Sequence, residues 1–136
     1  MEKEVIFEHP RLRLTYYPQL SCILETWDGF TDFDLFVELL DKTLHLMVEK
    51  GAKNLILDTR LHKGLNPKGN EHGANACLAH AKEHGPMKHA IIVPSYIFSQ
   101  MSVDNFVKNV DSKSGSSLVV NKHFQDLDSA LAWMKA

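Results

Sequence analysis

Two short runs of largely apolar residues, 53–58 (Lys-Asn-Leu-Ile-Leu-Asp) and 89–94 (His-Ala-Ile-Ile-Val-Pro), constrain this chain more than any other feature. A strand whose successive positions are apolar needs cover on both faces, the situation of a central strand in a sheet that carries helices. Between the runs a helix is expected from about Pro67 or Asn70 to His84, stopped by Gly85-Pro86. Strand, helix and strand at this spacing make a βαβ unit, so the two strands are expected to be parallel and their crossover right-handed.

The segments on either side fit around that unit. In residues 11–17, Leu12, Leu14 and Tyr16 alternate with polar neighbours, the period of a half-buried strand. Residues 21–27 form a second strand, closed by Asp28-Gly29, and Pro18-Gln19 reads as the turn of an antiparallel hairpin between the two. Val5 to Glu8 can add a short edge strand. Thr31 with Asp34 resembles a capping box and opens a long helix that runs to Lys50 and stops at Gly51. Its main apolar stripe is Phe33, Phe36, Val37, Leu40, Leu44, Met47 and Val48, the face expected on the sheet. A further helix is expected over 102–110 with Val103, Phe106, Val107 and Val110 on one face, then a surface loop over 111–117 and a strand at Leu118-Val119-Val120. Asp126 caps a last helix whose Leu127, Ala130, Leu131 and Met134 face inward.

Composition narrows the class. A chain of 136 residues, 44% hydrophobic and 24% charged, suits one α/β domain spanning residues 1–136. The N-terminus shows no basic region followed by an apolar run, and no stretch is long and apolar enough for a membrane span, so a soluble cytoplasmic protein is expected. Fifteen Lys and Arg against seventeen Asp and Glu give no basic field for nucleic acid. The two cysteines, Cys22 in a strand and Cys77 in a helix, are too few for a disulfide framework and are read as reduced, partly buried thiols.

The order of elements resembles the SpoIIAA-like (STAS) superfamily, on three local features. These are Trp27-Asp28-Gly29-Phe30 before the first helix, Leu55-Ile56-Leu57-Asp58-Thr59-Arg60 at the end of the first parallel strand, and Phe124-Gln125-Asp126 leading into Ala130-Leu131-Ala132-Trp133-Met134. The resemblance spans most of the chain and implies a mixed, mainly parallel sheet with helices and an N-terminal antiparallel hairpin. It also implies a non-enzymatic regulatory or protein-interaction role. One branch of the superfamily carries a phosphorylated serine where the helix follows the Asp-ended strand. The corresponding stretch here, 59–70, contains no serine and has Thr59 as its only hydroxyl, so no serine switch is expected.

Three groups of residues are candidates for function. Asp58, Arg60 and His62, with Asn66, lie at the carboxyl end of a parallel strand, where open α/β sheets bind ligands; the alternative is that Asp58 caps loop amides and pairs with Arg60. Cys77, His80 and His84 fall at i, i+3 and i+7, but Cys77 shares the sheet-facing stripe with Ala74, Leu78 and Ala81. It is read as a small core residue with the histidines at the solvent edge, and neither metal nor cofactor is assigned. Leu35, Leu39 and Leu46 make a second apolar stripe on the long helix; either they form a homodimer contact or another segment of the same chain covers them.

No nucleophile elbow, glycine-rich phosphate loop or HExxH sequence occurs, so no catalytic residue is assigned, although Asp58 with His62 or His72 could act as an acid and base pair. An interaction module is therefore the first expectation and a binding protein for a small apolar, amphipathic or anionic ligand the second. A cavity of several hundred Å³ under the loops would favour the latter.

Overall fold

A computed structural model describes residues 1–63, 67–94 and 118–136. Its core is a six-stranded sheet whose spatial order follows the chain: β1 (Glu4–His9), β2 (Leu12–Tyr17), β3 (Cys22–Gly29), β4 (Asn54–His62), β5 (Met87–Ile92) and β6 (Val119–Phe124). The first two junctions are antiparallel and the remaining three parallel. A single 3-10 turn, Pro18–Leu20, closes the hairpin expected between β2 and β3. The apolar strands at 53–58 and 89–94 are indeed parallel neighbours, β4 and β5.

Three helices are described: α1 (Phe33–Lys50), α2 (Pro67–His84) and α3 (Leu127–Lys135). Burial shows how they layer. Residues of α1 and α2 share one core with Leu12, Leu14, Ile23, Trp27 and Leu55 on one face of the sheet. On the opposite face Ala130 and Met134 of α3 pack with Cys22, Leu24, Ile56, Ala90 and Ile92. Alternation along β3, β4 and β5 thus buries both parities, which is why these segments read as continuous apolar runs. Trp133 packs on Phe124 with ring centres 5.6 Å apart and planes tilted by 44°, and Lys88 donates to the Trp133 and Ala136 carbonyls, tying the last helix to β5.

Two expectations about α1 need correction. Its N-cap is Asp32, whose Oδ1 accepts from the Leu35 amide at 2.8 Å, while Thr31 is buried before it. Its buried face is Phe36, Leu39, Leu40, Thr43, Leu46 and Met47, and Val48 is exposed. The inward face therefore bisects the two expected stripes. The reason is that α1 is covered on two flanks: Lys42 lies over the Phe7 ring of β1 and the Tyr16 hydroxyl reaches the Lys50 carbonyl, while α2 runs alongside. Leu39 and Leu46 belong to the intramolecular core, and half-buried Leu35 packs against it, so this stripe is not free to meet a second copy.

Gly51 ends α1 as expected, in the left-handed region at φ 69°. Gly29 ends β3 at φ 74°, and a side chain there would also collide with the Arg11 guanidinium. The helix expected over 102–110 and the loop over 111–117 lie outside the described residues. No described helix is long and apolar enough to cross a membrane.

Candidate functional site

The expected site at the end of β4 is divided by a local irregularity. Thr26 of β3 pairs with Asp58 of β4, but Asp28 pairs with Leu61 and Gly29 with His62, so β4 advances by one extra residue. A bulge of this kind turns the following side chains over. Asp58 and Arg60 accordingly lie on the α3 side of the sheet, whereas His62 comes to lie against Trp27 on the α1 side, with ring centres 5.7 Å apart.

On the α3 side the register lines up Glu8, Arg13, Thr26 and Asp58 across four strands. Each charge in this row has a partner, two of them within it and Asp58 in Arg60 of the same strand. Arg13 Nε donates to Glu8 at 3.0 Å. Asp58 Oδ1 accepts from the Arg60 amide and Nε, and Oδ2 accepts from Arg60 Nη2 at 2.8 Å. The bidentate bond to Asp58 raises the Arg60 guanidinium above its ordinary pKa. Asp126 at the start of α3 is held below the usual carboxylate range, first by the Ser129 amide and to a lesser degree by Arg60. Asp58 and Arg60 are thus brought together as an ion pair, and Asn66 lies outside the described residues.

His62 has a different environment. Its Nε2 is 3.5 Å from the Thr31 hydroxyl, and burial lowers its pKa. Thr59, the sole hydroxyl of the strand-to-helix stretch, is buried and donates to the Ile92 carbonyl at 2.8 Å.

Further polar groups are buried on the same α1 and α2 side. Glu25 is 2% exposed between Leu14 and Leu57, and Trp27 Nε1 donates to its Oε1 at 3.1 Å. Burial pushes this carboxyl up to about 7, against the opposing hydrogen bond from Trp27. Its sequence signal was parity: Glu25 alternates with Ile23 and Trp27, so any register that buries them buries it. Cys77 is also buried here, its thiol pushed up to about 12 by burial and then by Glu25. Asn70, in the first turn of α2, is 1% exposed, and neither its Oδ1 nor its Nδ2 has a hydrogen-bond partner.

An open cleft of about 500 Å³ lies at the hairpin side of the same strand ends, lined by Glu8, His9, Pro10, Arg13, Asp28 and Leu61 among others. Leu61, which lines it, is 60% exposed, and Phe30, the residue after β3, is 63% exposed. Fold and surface together define a layered α/β domain whose strand ends carry paired charges and two exposed apolar side chains. No protein-family model matches the chain, and no curated protein matches it.

Proposed function

We propose that this chain is a SpoIIAA-like (STAS-like) module that works by docking a partner protein at the carboxyl end of its parallel strands, without chemistry of its own. The observation that carries this reading is the exposure of Phe30 and Leu61 at that end. Large apolar side chains held in water are favoured at contact surfaces, where their burial drives association. The neighbouring charges support the same reading. Asp58 and Arg60 neutralise each other, so they frame a contact more readily than they bind a free anion. A folded Phe30→Asp/Leu61→Asp double variant is expected to lose the protein captured by the wild-type chain, while Val48→Asp on α1 keeps it. Retention by the double variant refutes the reading.

The cleft favours a second reading, the binding of a small polar ligand. It is open and lined by Glu8, Arg13 and Asp28, which suits neither an apolar nor an amphipathic molecule. Amide shifts confined to residues around Arg13, Asp28 and Leu61 on adding a small compound would support it.

A further inference from the structure

His80, Glu83 and His84 stand near the end of α2 at i, i+3 and i+4, positions that share one helix face. The two imidazole rings lie 4.6 Å apart, centre to centre, tilted by 40°. Glu83 Oε2 is 3.8 Å from His84 Nε2. His84 is exposed and His80 half-buried, so the group lies at the surface.

The spacing His-x-x-Glu-His is one at which a class of zinc enzymes sets two metal ligands. Hydrolysis at such a centre needs a third protein ligand. Among the described residues no group of three His, Cys, Asp or Glu side chains is arranged to hold a metal. Cys77, one turn earlier, is buried and faces the sheet. What the surface group can do is chelate. Bonds of about 2 Å from one ion to two imidazoles bring the ligating nitrogens to about 3 Å from each other, within reach of rings 4.6 Å apart after a small rotation of exposed His84. Imidazole pairs select borderline transition metals, whereas calcium and magnesium prefer oxygen.

We propose that His80 and His84 form a bidentate surface site for a divalent transition-metal ion, holding copper(II) more tightly than nickel(II) or zinc(II), with the Glu83 carboxylate beside the ion and water completing its shell. Adding copper(II) chloride below one equivalent to isotope-labelled full chain is expected to broaden amide signals centred on residues 80–84. Calorimetry is expected to show one-to-one binding that His80→Asn and His84→Asn each weaken at least tenfold. His45→Asn, on α1, leaves the affinity unchanged. Should His80→Asn lose structure by circular dichroism, the exposed His84→Asn decides alone. Broadening centred on another histidine, undiminished affinity in His84→Asn, or no binding at millimolar copper(II) would overturn the site.

Discussion

Thr59 stands where a phosphorylated serine would be sought, and its surroundings explain why it makes a poor substitute. At 6% exposure and with its hydroxyl bonded across to Ile92, it cannot meet a kinase unless β4 and β5 separate. Protein isolated from its own cells is expected to carry no phosphate on Thr59 by mass spectrometry. Thr59→Val removes one buried hydrogen bond to the Ile92 carbonyl, so urea unfolding should show a loss of about 1 kcal/mol. Asn70 is the opposite case. An unpartnered buried amide costs about 1–3 kcal/mol, and Asn70→Ala both removes that cost and gains roughly 0.5 kcal/mol of helix propensity. The small void left behind offsets part of the gain, so the variant should be as stable as the wild type or more so. A clear loss of stability would show that the amide finds a partner in solution.

At the scale of elements, α1 decides what its leucines are for. Leu39 is 2% exposed and lies within the core. Leu39→Ala should therefore cost about 2–5 kcal/mol, and Leu39→Glu should unfold the domain rather than yield a folded monomer, as circular dichroism and light scattering can test. Most elements were legible from periodicity and punctuation: the hairpin from Leu12, Leu14 and Tyr16, the ends of α1 and α2 from Gly51 and Gly85, and the start of α3 from Asp126. The face of α1 was not, because it depends on how far β1 and α2 wrap around it, and no pattern internal to the helix contains that. The site was legible in the same uneven way. Asp58 and Arg60 are local, two residues apart on one strand, and their pairing follows from alternation. His62 leaves them because β3 and β4 fall out of register after Thr26, a property of two strands separated by a long helix.

For the molecule as a whole, two buried titrating groups set opposing responses to pH. Glu25 keeps its proton in the fold to about pH 7, whereas the unfolded chain releases it near the ordinary value of 4.5. The folded state holds the extra proton between those values, so this group's contribution is greatest below about pH 4.5, falls as pH rises through the window, and is level above about 7. His89, in contrast, is lowered to about 4 by burial from its ordinary value of 6.5, against the opposing hydrogen bond from Asn121. Here the unfolded chain holds the extra proton, so the contribution is full above about 6.5 and is lost as pH falls toward 4. Each shift corresponds to roughly 3 kcal/mol at 1.36 kcal/mol per unit. The two slopes are opposite in sign and overlap between about pH 4.5 and 6.5, and His62, also lowered by burial, adds to the His89 side. Across that window the pair nearly cancels in the wild type. Substitution of one partner should expose the other. Glu25→Gln is expected to lose stability steeply on acidification from pH 6.5 to 4, and His89→Gln to lose it on going from pH 4.5 to 7. The decisive quantity is the slope of unfolding free energy with pH, measured in urea for all three proteins, since either substitution also changes hydrogen bonding by a pH-independent amount. Parallel slopes for wild type and Glu25→Gln would mean that Glu25 is ionised in the fold and that the layer beneath α2 admits water.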